Sequence, residues 1–109
     1  MINLEVLHRL QATLAERKSA APDSSYVAGL YAKGTDSICK KVAEEAAETI
    51  MAAKDGDQLH LVREVTDLWF HSLVLLAHFD LGVDDVLFEL RRREGISGID
   101  EKNSRGAQE

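Results

Sequence analysis

The 109-residue sequence contains one cysteine and one proline. A single cysteine excludes a disulfide framework and any zinc site built from several thiolates. One proline and seven glycines leave few breakers, which argues against a meander of short strands and for long helices. Cations are also scarce: 13 Lys and Arg stand against 19 Asp and Glu, a formal charge of −6. That balance suits no nucleic-acid polymer, which needs basic residues in excess along one face. A membrane-spanning run is missing too. The longest apolar stretch, Leu68 to Phe79, is broken by His71, Ser72 and His78 and falls short of the ~20 residues a span requires. The start, Met1-Ile2-Asn3-Leu4-Glu5, has neither the basic residues nor the apolar run of a signal peptide. The expectation is a single cytoplasmic domain with no membrane partner.

What is present is helical periodicity. Leu4, Leu7, Leu10 and Leu14 recur at steps of three and four after Asn3, a natural N-cap, and Arg17-Lys18 sit where cations suit a helix C-terminus. Ala20-Ala21-Pro22-Asp23-Ser24 reads as a linker. Ser25 caps a short helix over 26–33 that Gly34 stops, and Thr35 caps a long one to Lys54, ended by Asp55-Gly56. A further helix runs from near Asp57 to Phe79. Leu81-Gly82 then turns the chain into a last helix with Asp84-Asp85 in its first turn and Arg91-Arg92-Arg93 at its end. The pattern predicts an all-α domain over 1–96, an antiparallel bundle of four to five helices, with a polar, flexible tail over 97–109.

The acids are placed unevenly. Glu44, Glu45 and Glu48 share an arc of about 100° on the third helix, beside an apolar face read as Val42, Ala46, Ile50 and Ala53. Three like charges so close repel, so either solvent or a cation offsets the cost. On the next helix, apolar residues from Val65 to Phe79 point in every direction, which predicts burial and makes Trp69 a core residue. Its polar exceptions, Glu64, Asp67, His71 and His78, form one stripe, with His60 upstream on it. Each Glu-x-x-acid pair alone is an ordinary solvated face. Two of them, Glu45 with Glu48 and Glu64 with Asp67, facing each other from neighbouring helices make an oxygen-only cage suited to Mg²⁺, with Mn²⁺ as a substitute. His71 either orients a carboxylate, contacts substrate or is a satisfied core histidine; His8, His60 and His78 read as core. Cys39 reads as a packing residue.

Glu44-Glu45-x-x-Glu48 followed by Glu64-x-x-Asp67 resembles the signature of the all-α, MazG-like nucleotide pyrophosphohydrolases. Ser25-Tyr26-Val27, Lys33-Gly34, Lys41-Val42-Ala43-Glu44-Glu45, Asp67-Leu68-Trp69-Phe70-His71 and the tail Glu101-Lys102-Asn103-Ser104-Arg105 narrow the resemblance to the phosphoribosyl-ATP pyrophosphohydrolases of histidine biosynthesis. Departures are small: Ala43 and Phe70 replace residues common in that family, and Ser37 stands where a lysine is frequent. The resemblance implies Mg-dependent hydrolysis of phosphoribosyl-ATP to phosphoribosyl-AMP and pyrophosphate. It implies that Glu45, Glu48, Glu64 and Asp67 hold the metal, that Glu44 orients or deprotonates the attacking water, and that Lys33, Lys41, His71, Lys102 and Arg105 contact substrate. The tail would then close over substrate as a lid. It further implies an intertwined homodimer, and the chain has neither the length nor the cysteines for a fused zinc cyclohydrolase domain. Two alternatives stay open: a house-cleaning nucleoside triphosphate pyrophosphohydrolase, and a non-catalytic helical dimerisation module.

Overall fold

The computed structural model describes residues 2–108, without the side chains of 107 and 108. Among the described residues six helices follow one another: α1 (Glu5–Glu16), α2 (Tyr26–Lys33), α3 (Thr35–Asp55), α4 (Gln58–His78), α5 (Val83–Arg92) and α6 (Gly98–Gln108), with a 3₁₀ turn over Arg17–Ser19. There is no strand among the described residues. The all-α expectation holds, with one more helix than anticipated.

Local chemistry explains the boundaries. Ser25 caps α2 through its hydroxyl, which accepts from the Ala28 amide at 3.1 Å. Asp57 does the same for α4, accepting from His60 N at 3.1 Å. Thr35, expected as a cap, is instead the first residue of α3, because Gly34 at φ 96° both ends α2 and precedes α3 without a loop. Asn3 reaches the Glu5 amide at 3.0 Å, but Leu4 occupies the N-cap position. Lys18 leaves its own helix altogether: its ammonium donates to the Ala77 carbonyl at 2.9 Å and to Asp80 at 2.5 Å, closing the C-terminus of α4.

The two-residue connection Gly56-Asp57 folds α3 and α4 back against each other as a long antiparallel hairpin. Against it pack α1 and α2, and the core is Leu14, Val27, Leu30, Ile38, Val74 and Ala77. The buried stripe of α3 runs through Ile38, Glu45 and Ala52, seven residues apart and hence on one face. The expected apolar face was rotated from this: Ile50 and Ala53 are exposed, because α4 and α2 together cover the side that carries Glu45. Trp69 is likewise not core. It is 60% exposed, beside Val62 and Leu4, since α1 and α5 flank α4 and leave a groove between them.

The tail departs most from expectation. It is helical, capped by Ser97, whose Oγ accepts from Asp100 N at 3.1 Å and whose carbonyl accepts from Glu101 N at 2.9 Å. What sequence periodicity missed is a polar anchor: Glu101 is 5% exposed and lies against Arg92, Arg93 and Arg105.

Candidate active site

Midway along the α3–α4 hairpin three carboxylates converge. Single oxygen atoms of Glu45, Glu48 and Glu64 all lie within 4.8 Å of one another. Glu45 is buried, Glu64 half-buried and Glu48 exposed, so the group forms a niche open on one side. An antiparallel pair makes this possible, since Glu45 and Glu48 are one turn apart on α3 and Glu64 meets both from α4.

The niche is short of donors. Lys41 lies 3.3 Å from Glu44 and 3.6 Å from one oxygen of Glu45, and His60 lies 3.2 Å from one oxygen of Glu64. The second oxygens, Glu45 Oε2 and Glu64 Oε2, are buried without a hydrogen-bond partner. Facing carboxylates have no proton to offer each other when ionised, and an unpaired buried charge is costly. Glu64 is accordingly pushed above the usual carboxylate range, first by sharing a proton with Glu48, then by burial and by the charges of Glu48 and Glu45. Orphaned hard oxygens on a rigid hairpin fit a hard divalent cation.

The structure does not bring every expected residue to this point. Asp67 is exposed and outside the three-carboxylate group, one turn further along α4. The structure thus brings three of the four expected acids together, with Asp67 one turn beyond Glu64 on α4. Glu44 stands beside them, tied to Lys41. Lys33 is exposed at the end of α2. Lys102 and Arg105 lie on α6, where Arg105 is engaged with Glu101 at 3.1 Å. His71 is 6% exposed, with Nδ1 on the Asp67 carbonyl at 2.8 Å and Nε2 on the Tyr26 hydroxyl at 2.7 Å. It is a satisfied core histidine. His8 and His60, expected in the core, are half-exposed and pair with Asp84 and Glu64. His78 is part-buried, stacked on Tyr31 and bonded to Thr35.

Two residues near the acids were read in the sequence only in other terms, Tyr26 as part of the motif Ser25-Tyr26-Val27 and His60 as a core histidine. His60 is four residues before Glu64, a spacing that places it on the same face. Tyr26 approaches across the bundle from α2, and no periodicity on α4 could have revealed it.

Comparison with known proteins then decides the family. The phosphoribosyl-ATP pyrophosphohydrolase family profile matches residues 7–94. The chain belongs to this family. A protein of Aromatoleum aromaticum named phosphoribosyl-ATP pyrophosphatase is 81% identical over 105 residues, spanning 96% of this chain and 97% of that one. Its counterpart of the same name in Azoarcus sp. is 80% identical over 105 residues, 96% and 98% of the two chains. One from Chromobacterium violaceum is 64% identical over 101 residues, 93% and 94% of the two chains. The residues matched by the profile include all three converging glutamates, as well as Tyr26, Lys41, Asp67 and His71.

Proposed function

We propose that this chain hydrolyses 1-(5-phospho-β-D-ribosyl)-ATP to 1-(5-phospho-β-D-ribosyl)-AMP and pyrophosphate, a step of histidine biosynthesis, at the niche formed by Glu45, Glu48 and Glu64. One observation carries the reading: two buried carboxylate oxygens without partners, in a chain of this family.

A triphosphate is densely anionic, and an acidic niche repels it. Glu45, Glu48 and Glu64, joined by Asp67 from the rim, would hold Mg²⁺ or Mn²⁺. When bound, the ion supplies the positive charge that receives phosphate oxygens and makes water a better acid. Glu44 is the base. It is partly exposed and adjacent to the niche, and once Lys41, which donates to it at 3.3 Å, turns to a phosphate, its carboxylate is free to take a proton from the attacking water. Lys41 is the cation nearest the niche and moves from Glu44 and Glu45 to a phosphate oxygen when substrate arrives. Lys33, and Lys102 and Arg105 from α6, approach the outer phosphates, with the 97–109 segment acting as a lid over the 1–96 domain.

Two chains pair through the uncovered side of α4. Val62, Trp69, Leu4 and Leu90 are 62%, 60%, 63% and 54% exposed, an apolar surface that one chain leaves in water. No helix among the described residues is long and apolar enough to cross a membrane, and the reading places the enzyme in the cytoplasm.

The test is pyrophosphate release from phosphoribosyl-ATP beside ATP and a panel of deoxynucleoside triphosphates. Preference for phosphoribosyl-ATP, lost in Glu48→Gln with helicity retained, is expected. Near-normal Glu48→Gln activity at saturating Mg²⁺ overturns the site, and preference for deoxynucleotides overturns the substrate.

A further inference from the structure

Among the described residues, Tyr26 is the one exposed aromatic residue near the niche whose hydroxyl is held by a buried partner. The residue is 55% exposed, yet both its backbone and its side chain are fixed. The backbone is the first residue of α2, set by the Ser25 cap. The hydroxyl lies 2.7 Å from His71 Nε2, and the two rings meet edge-on at 5.8 Å and 88°. His71 is itself immobilised. Its Nδ1 lies 2.8 Å from the Asp67 carbonyl, and Phe70 packs edge-on against it at 5.3 Å.

The direction of these bonds follows from chemistry. A carbonyl oxygen only accepts, so His71 Nδ1 carries the ring proton. Nε2 of the neutral imidazole is left as an acceptor, and the Tyr26 hydroxyl must donate to it. The phenol therefore keeps its proton turned inward and presents lone pairs outward. The charges that bear on its hydroxyl are those of Lys41, Glu45, Glu44 and Asp67, the same residues that surround the niche.

An outward phenol oxygen that can only accept does not recognise phosphate, whose oxygens at neutral pH also accept. It recognises a donor. We propose that Tyr26 positions substrate by accepting a hydrogen bond from a hydroxyl or amine of the glycosyl-nucleotide portion, and that His71, buried behind it, is the positioning residue that aims the phenol. The proposal rests on the niche being the active site. It reassigns His71 from substrate contact to support, and it gives the substrate contact to Tyr26.

Tyr26→Phe is the primary test: it removes one oxygen from an exposed side chain, and a parallel thermal melt accounts for the partner that His71 Nε2 loses. The expected result is a KM for phosphoribosyl-ATP raised about tenfold with kcat within about twofold, the pattern of a lost ground-state contact. Product inhibition supplies a second readout. Phosphoribosyl-AMP should inhibit the variant more weakly by a similar factor, whereas inorganic pyrophosphate should inhibit it as before. His71→Gln retains a carboxamide acceptor and should recover part of the KM that His71→Leu loses. Tyr26→Phe combined with His71→Leu should be no worse in KM than the worse single variant. An unchanged KM in Tyr26→Phe overturns the proposal, as does a fall in kcat at unchanged KM, or weakened pyrophosphate inhibition with phosphoribosyl-AMP unaffected. Fully additive losses in the double variant overturn the role of His71. Glu48→Gln, run alongside, separates this from the site itself. Retained turnover there overturns the niche and this proposal with it, whereas an inactive Glu48→Gln beside a Tyr26→Phe of unchanged KM overturns this proposal alone.

Discussion

Glu45 and Glu101 are both acids with little access to solvent, 7% and 5% exposed, yet their surroundings are opposite. Glu101 is answered by cations from its own chain. Both its oxygens lie 2.7 Å from Arg92, with Arg105 at 3.1 Å and Arg93 at 3.8 Å. Glu45 is answered by one lysine at 3.6 Å on one oxygen, while its other oxygen is buried without a donor and two further glutamates converge on the same residue. Burial of an acid is thus not the mark of a functional site. A buried carboxylate whose counter-charge is built in fastens two helices; one whose counter-charge is missing is ready to take a cation from outside.

The strongest way to break the comparison is to neutralise one acid in each place. Glu64→Gln should cut turnover by at least about a thousandfold, a loss of roughly 4 kcal/mol in the barrier. It should leave the thermal midpoint equal or higher without metal, since it removes repulsion within the niche. Steady-state pyrophosphate release with a parallel thermal melt measures both. A variant that loses activity only by unfolding would make the niche structural, like the Glu101 clasp.

Next in size is the effect of the cation. Mg²⁺ at about a hundred times its dissociation constant should stabilise the wild-type chain by roughly 2.7 kcal/mol, and Glu48→Gln by much less. Differential scanning fluorimetry across a Mg²⁺ series reads this directly. Glu101→Gln is the matched control. It should keep the full Mg²⁺ response while lowering the thermal midpoint by an amount corresponding to about 1–2 kcal/mol, because the arginines it releases are 42–54% exposed and can return to water. Loss of the Mg²⁺ response in Glu101→Gln would show that the two acid sites are not independent.

The same contrast explains what the sequence could and could not show. Glu45, Glu48 and Glu64 were legible because each lies at helical spacing on a strongly periodic segment, and a two-residue turn leaves α3 and α4 one way to face each other. Ser25 and Asp57 were legible because capping is local. The face of α3 was misjudged because small alanines on several sides make its apolar pattern ambiguous, and packing against α2 and α4 chose Glu45 for the interior. Trp69 was misjudged because all-round hydrophobicity along α4 does not say which of its sides α1 and α5 leave uncovered. Tyr26 and Glu101 were legible as members of the family's motifs, but their contacts were not, because hydroxyl–imidazole and carboxylate–guanidinium pairs between helices leave no periodic trace. The polar composition of 97–109 reads as flexible until its one buried acid is placed.

The smallest effect concerns pH, and here the two regions should respond with opposite signs. Hydrogen bonds from Arg92, then from Arg93, hold Glu89 down to about 2, against an ordinary value of 4.5. A carboxyl depressed in the folded state stabilises it fully above the ordinary value, and that contribution is lost as pH falls from about 4.5 toward about 2. Protonated Glu89 releases Arg92, which also holds Glu101, so the junction of α5 and α6 should loosen over that window. Glu64 is shifted the other way. Its raised value means that the protonated form stabilises the niche below the ordinary carboxylate range, and the contribution fades as pH rises through the raised value. Amide hydrogen exchange, corrected for the intrinsic pH dependence of exchange, separates the two in one metal-free titration. As pH falls from neutrality to about 4.5, amides in the middle of α3 and α4 should gain protection while those of α6 hold steady. Below about 4.5 the amides of α6 should lose it. Parallel behaviour of both segments would mean that the niche and the clasp share one electrostatic fate, and the contrast between Glu45 and Glu101 would fall with it.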